Sequence, residues 1–471
     1  MTRRAVVAAV ALCALAACSI AAPAAPAQRP PYDVRVFARV PSPGSPEPIV
    51  VMPDRTVYVG TNQFGKGSDE DAGAPSRVFA YSPDGKLVRT YVLQGQPLDQ
   101  DHGIQGLARD GDGILYLLDR SADPRMVTLD PVTGVQRRYA SFRDVPPCSA
   151  AAGSTDCSAT NLDGPAGPDY VAFAPDGTAY VTDIDQGLIW RVPRGGGRAE
   201  VWFTDPRLES VYGPNGIQVL ADGRTLLFAN TGSNPSAGNP TTGRLYKLPV
   251  RPDGRPGELS QLWESRPVDG PDGFALGSSG RIYLALAAAA QLVVISPEGE
   301  ELARIPSTPV ENQAQEIPFD GPASVAFMDD RVLVTNQTFP DANPPHWAVL
   351  DVKVEERGLA PFAPFVAPRA QPGPLPRLRL TVKPRRVRAG VRRRFRFRVT
   401  VKRAGKRVAV RGALVRFAGR RVRTGKRGRA RVRMRFKHRG RRRAVVTAAG
   451  ALPAVARVRV VRRARAVSRS G

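Results

Sequence analysis

Between Arg377 and Gly471 the chain has no aspartate and no glutamate. That stretch carries 37 of the 69 lysines and arginines, leaving 32 basic side chains against all 42 acidic ones in the residues before it, a net of about −10. The overall charge of +27 therefore describes only the last fifth of the protein. Histidine is scarce too, with three residues in 471. His102 and His346 are too isolated for a His-rich zinc site or a His-based lyase. No Gly-x-Ser-x-Gly elbow supports Ser-His-Asp catalysis. Helical periodicity is absent throughout, and beyond residue 27 no apolar run is long enough to span a bilayer as a helix.

Cysteine is nearly as rare, at four. Residues 1–27 read as an export signal: Arg3 and Arg4 supply the charged start, and Ala5 to Ala17 form an apolar run too short for a mature membrane helix. Two cleavage readings compete. Leu15-Ala16-Ala17-Cys18 has the form of a lipobox, which would make Cys18 an acylated N-terminus, whereas Ala25-Pro26-Ala27 is an ordinary small-x-small site. Either predicts an extracytoplasmic protein of a bacterium, secreted or lipid-anchored to the cell envelope. Cys148 and Cys157 flank an Ala/Gly/Ser-rich loop and are expected to form a local disulfide there.

What the chain does have is β-branched alternation cut by turns, in six similar units. The clearest runs from Gly270-Pro271-Asp272-Gly273-Phe274 to Ile305: a turn with one carboxylate, two strands around residues 281–284 and 291–295, and a last strand at 301–305. The others open at Pro46-Glu47-Pro48, Gly103-Ile104-Gln105, Pro168-Asp169-Tyr170, Pro214-Asn215-Gly216 and Pro322-Ala323-Ser324. Units of this length suit four-stranded propeller blades with variable loops. Six would close a ring over residues 32–357, with Tyr32–Val40 as a free strand completing the last blade beside Trp347–Val354 and removing the open edge.

In a propeller the innermost strands line the channel, so the lead residues Glu47, Ile104, Asp169, Asn215, Asp272 and Ala323 converge on one mouth. Three carboxylates and an amide oxygen so placed repel one another unless a cation sits between them, and a hard divalent ion takes such ligands. A single Asp-Gly or Asn-Gly more often just shapes a turn, as Asp176-Gly177 is expected to do. Four oxygen ligands in register are a stronger signal. The long loops 65–76, 144–163 and 232–243 are expected around the mouth, where they would set specificity.

On these residues, 36–355 resembles the family of gluconolactonase, senescence marker protein (regucalcin) and luciferin-regenerating enzyme. The resemblance implies a six-bladed propeller with one divalent cation, Ca²⁺ or Zn²⁺, held by Glu47, Asn215 and Asp272. The Pro-Asn-Gly and Pro-Asp-Gly motifs match closely, while Pro-Glu-Pro stands where Glu-Gly-Pro is usual. Asp169 occupies the place of a substrate-contacting Asn and is expected to bind substrate hydroxyls or add a fourth ligand. Gly167 stands where some members have a lactone-binding Arg. The implied activity is metal-dependent opening of a cyclic ester, a small-molecule lactone, with Asp272 doubling as general base. The alternative is a non-catalytic propeller that binds a ligand or partner at the same channel.

Residues 358–376 are Pro-rich and read as a semi-rigid spacer. From 377 to 461, apolar and Arg residues alternate with period two, as in Phe395-Arg396-Phe397-Arg398-Val399. That is a half-buried sheet, not a disordered tail. It resembles bacterial Ig-like modules, which makes the whole chain an all-β protein: a six-bladed propeller followed by a small Arg-rich β-sandwich. Residues 462–471 read as a disordered basic tail. The charge of 377–471 predicts an anionic partner, and for an exported protein that is an envelope polymer or lipid headgroup, with no specific nucleic acid.

Overall fold

The computed structural model describes residues 29–63, 73–98, 101–149, 156–158, 164–232, 242–339, 342–365, 377–403, 406–448 and 451–462. The expected export signal with Cys18, most of the loops 65–76 and 232–243, the middle of 144–163 and the tail beyond Arg462 lie outside them.

Each repeat folds as a four-stranded antiparallel blade. The innermost strands are Ser45–Val51, His102–Arg109, Pro168–Phe173, Pro214–Val219, Pro271–Leu276 and Pro322–Met328. Each packs on the next and the sixth packs on the first, so the ring closes around a channel. Five of the six contain a proline at the last pair before the register with the second strand breaks. An innermost strand borders the channel with one edge free, so the missing N–H costs no ladder bond. Between blades the branched and aromatic side chains interlock; Leu118, Met126, Val181 and Trp190, for example, fill the space between blades two and three.

Blade six is finished by the start of the chain. Val34–Arg39 pairs antiparallel with Ala348–Lys353, Val34 opposite Val352 and Arg39 opposite Ala348. The Val40 N–H extends the zip to the Trp347 carbonyl at 2.9 Å. An ionic clasp fastens it: the Arg29 guanidinium donates to Asp33 at 2.6 Å and to Asp351 Oδ1 at 2.9 Å, and Arg331 donates to Asp351 Oδ2 at 2.7 Å. Asp351 is buried, so both its oxygens depend on these two donors.

The chain leaving blade six is not a free spacer at its start. Glu356 to Phe365 forms a strap across the end of the ring where the innermost strands finish. The Leu359 N–H donates to the Leu276 carbonyl of blade five at 2.7 Å, the Gly111 N–H of blade two donates to Pro364 at 3.1 Å, and Arg194 of blade three donates to Phe365 at 2.5 Å. Leu359 and Phe362 pack on the cores of neighbouring blades, which offsets the entropy of ordering the segment.

Residues 378–461 form a two-sheet β-sandwich. One sheet is built around Arg392–Arg403, paired with Leu378–Lys383, Lys406–Ala409 and Arg429–Arg435; the other around Gly440–Ala448 and Ala451–Val461. Phe395 and Phe397 are buried while Arg394, Arg396 and Arg398 are exposed. Phe395, Phe397, Phe417 and Phe436 meet edge-on at centroid distances of 5.0 to 5.8 Å. Cys148 and Cys157 are disulfide-bonded.

Replacing Asp351 with Ala strips the clasp and leaves two partly buried guanidiniums facing each other. We expect a loss of about 2–4 kcal/mol in unfolding free energy, measured by denaturant titration. An unchanged midpoint would show that the strand pairing alone closes the ring.

Candidate functional site

The six lead residues sit where the innermost strands begin, but not in turns. In each blade the register between first and second strands breaks at this point: between Pro46 and Ile49, Ile104 and Gly106, Pro168 and Val171, Pro214 and Ile217, Pro271 and Phe274, and Pro322 and Val325. The Pro-Asn-Gly and Pro-Asp-Gly motifs, expected to be turns, are therefore β-bulges inside strands. A bulge re-aims its side chain. The displaced backbone is taken up by threonines of the second strands: Thr182 Oγ1 accepts from the Tyr170 N–H at 3.0 Å and Thr335 Oγ1 from the Ser324 N–H at 2.8 Å.

The bulge also explains the glycines. A Cβ on Gly216 would lie 2.6 Å from the Asp272 carbonyl oxygen of the next blade, and one on Gly273 would lie 2.9 Å from that of Ala323. Neither glycine has a positive φ. They are there to let adjacent innermost strands approach, not to make a turn.

Glu47, Asp169, Asn215 and Asp272 are all buried. Asn62 donates to Glu47 Oε2 at 3.3 Å and to Gln105 at 3.4 Å, and is itself fixed by the Ser45 hydroxyl at 2.6 Å. Asn215 donates its amide to Thr231 Oγ1 at 3.0 Å. Its Oδ1, and Asp169 Oδ2, are buried with no hydrogen-bond partner among the described residues. Such orphaned acceptors are rare and call for a donor or a cation.

Electrostatics tell the same story. Burial, then the charges of Asp272 and Asp169, push the Glu47 carboxyl well above its ordinary range, partly offset by Arg120. Burial and the Asp272 charge do the same to Asp169, again opposed by Arg120. Asp272 is raised to about 7, mainly by burial; hydrogen bonds from Tyr170, the Gly273 N–H and Asn215 limit the rise. The acids thus feel one another across the channel. Among the described residues no three His, Cys, Asp or Glu side chains form a cluster able to hold a metal ion by themselves. The expected ligand set is two carboxylates and an amide, and the free Asn215 Oδ1 is the acceptor such a set requires. The donor set fits a hard divalent cation.

Two residues of this site were not anticipated. Tyr170 follows Asp169 at the place that Gly216 and Gly273 hold in blades four and five, and its side chain crosses the channel. Its hydroxyl is hydrogen-bonded to Ser324 and lies 3.3 Å from Asp272 Oδ1. An aromatic where sibling repeats have glycine was the available signal. The other is Arg120, at the end of the second strand of blade two, paired with Asp185 at 2.7 Å. A Cβ at Gly167, where some members of the resembled family carry an arginine, would lie 2.1 Å from that same Asp185 carboxylate, so a side chain there would have to displace it. His346 bonds Asp320 at 2.7 Å and His102 the Ala74 carbonyl at 2.7 Å.

Residues 205–327 match the family model described as SMP-30/Gluconolactonase/LRE-like region. No curated protein matches the chain in sequence. Among solved structures, the calcium-binding protein regucalcin of Agrobacterium tumefaciens is 19% identical with a TM-score of 0.48, over 72% of this chain and 98% of that one. A gluconolactonase of Xanthomonas campestris is 16% identical with a TM-score of 0.42, over 68% and 88%. The virginiamycin B lyase of Staphylococcus aureus is 14% identical with a TM-score of 0.42, over 69% and 100%. The propeller assignment rests on this chain's own strand order.

The raised carboxyls give a signed expectation. In chelator-treated protein the folded state holds more protons than the unfolded one between the ordinary carboxylate range and about pH 7, the value for Asp272. Stability should therefore fall as pH rises through that window. A divalent cation bound by the ionised groups should flatten the slope. Melting temperatures from pH 4 to 8, with chelator or with Ca²⁺ or Zn²⁺, test this; a chelator curve that rises with pH contradicts it.

Proposed function

We propose that the propeller is a metal-dependent hydrolase of the lactonase type, opening a cyclic ester at the mouth of its channel. The observation that supports this most directly is the set of buried, mutually repelling acids beside the orphaned Asn215 Oδ1. Glu47, Asn215 and Asp272 would hold one divalent cation. When bound, it supplies Lewis acidity toward the ester carbonyl and the attacking water.

The protein's own groups do the rest. Asp272, poised near neutral pH, takes the proton of the attacking water, and the Tyr170 hydroxyl fixes the rotamer in which it does so. Asn62 fixes Glu47 in the same way. Asp169 accepts hydrogen bonds from substrate hydroxyls through its unpartnered Oδ2. Arg120 brings a cationic charge that offsets both Glu47 and Asp169. The disulfide supports an oxidising compartment and hence an exported protein. The Arg-rich sandwich, with no acidic residue to pair its guanidiniums internally, would hold the protein on an anionic envelope polymer or lipid surface.

A panel of sugar and aliphatic lactones assayed with Ca²⁺, Zn²⁺ or Mn²⁺ tests the catalytic proposal. Asp272→Asn should lower kcat by about 10²–10⁴-fold. Tyr170→Phe should lower it less, and Asp169→Asn should act mainly on KM. Lactone turnover indifferent to Asp272→Asn would refute the site; a panel with no turnover would favour a binding propeller. For the sandwich, retention on isolated envelopes should drop steeply between low and moderate salt. Retention that ignores salt would remove the electrostatic role.

A further inference from the structure

The channel has a second end. Below the carboxylates the innermost strands line a cavity of about 540 Å³. Every blade gives it apolar side chains, among them Ile49, Leu107, Val171, Ile217, Phe274 and Val325. Tyr170 and Ser324, hydrogen-bonded to each other, stand between it and the acids, and Leu359 and Phe362 of the strap border the side where the strands finish. A space of this size suits a small organic molecule.

Its charge is the reverse of the other end. Arg55, Arg109 and Arg357 border the cavity against one carboxylate, Asp329, which sits 3.5 Å from Arg55. Arg109 is half-buried, and its hydrogen bond goes to the backbone carbonyl of Asp110 at 3.4 Å. The Asp110 carboxylate next to it already accepts from the N–H groups of Asp112 and Ile114 and the hydroxyl of Tyr116. A half-buried guanidinium at an apolar wall selects a ligand with one anionic head and an apolar body. A neutral lipid would leave the guanidinium unpaired, and a polyanion would bury charge against Ile49 and Val325.

We propose that this chamber binds an aliphatic monocarboxylate of about eight to twelve carbons, its chain among the six strands and its head group on Arg109. The proposal is independent of the lactonase reading, because none of Glu47, Asp169, Asn215 and Asp272 borders the chamber and Tyr170 only divides the two spaces.

The test is isothermal titration of the full chain with decanoate and, separately, with decanol. Arg109→Gln should weaken decanoate about tenfold and leave decanol unchanged. Leu359→Trp, which fills the chamber from the strap, should weaken both while the melting curve stays cooperative, and it serves equally if Arg109→Gln fails to fold. Because the Arg-rich sandwich also attracts anions, a photoreactive diazirine analogue of decanoate should locate the site: label on 357–365 and the innermost strands supports the proposal. Label confined to 377–462, decanoate affinity indifferent to both substitutions, or no saturable binding up to roughly 1 mM overturns it.

Discussion

Three carboxyls buried at the axis of a ring, each made costlier by the others, are the constraint around which this propeller is arranged. Neither Glu47 nor Asp169 can relax outward, because each sits on a strand wedged between two blades. Among the described residues Arg120 is the cationic side chain that offsets both of them, and it is itself tied to Asp185. Holding such a set together takes rigid backbone, and the ring provides it only when closed. That makes the Val34–Arg39 zip and its Arg29–Asp351–Arg331 clasp part of the site's support, although they lie on the outer rim.

The device that aims the acids is local and repeated. In five blades a proline makes the last regular pair and two residues bulge out of register before an apolar residue restores it. Where a glycine occupies the second bulged position, neighbouring strands close up carbonyl to Cα; where Tyr170 occupies it, the side chain spans the space instead and reaches Asp272 and Ser324. One substitution pattern at one position thus divides the channel into an acidic mouth and an apolar chamber. The strap from Glu356 to Phe365 borders the chamber, so the segment that leads to the sandwich also helps shape the propeller's interior.

The charge asymmetry of the chain recurs within the propeller. Its channel mouth gathers carboxyls, the opposite end gathers guanidiniums, and the sandwich carries unopposed positive charge on its exposed faces. Burial decides what each charge means. At the mouth it raises carboxyl pKa values and creates a demand for a cation; on the sandwich the arginines alternate with a phenylalanine-rich core and remain solvated.

The sequence alone carries the repeat, the strand alternation, the split in charge and the lead positions 47, 169, 215 and 272, because period-two patterning and turn chemistry are short-range and survive in one dimension. It misread the Pro-Asn-Gly and Pro-Asp-Gly motifs as turns, since a bulge is defined by the strand opposite and not by its own residues. It also gave no hint of Arg120, which comes from another blade. Those points depend on contacts between blades. Ring closure brings side chains from different blades to one axis, and the distances among Tyr170, Ser324 and Asp272, up to 154 residues apart along the chain, exist only once the sixth blade has met the first.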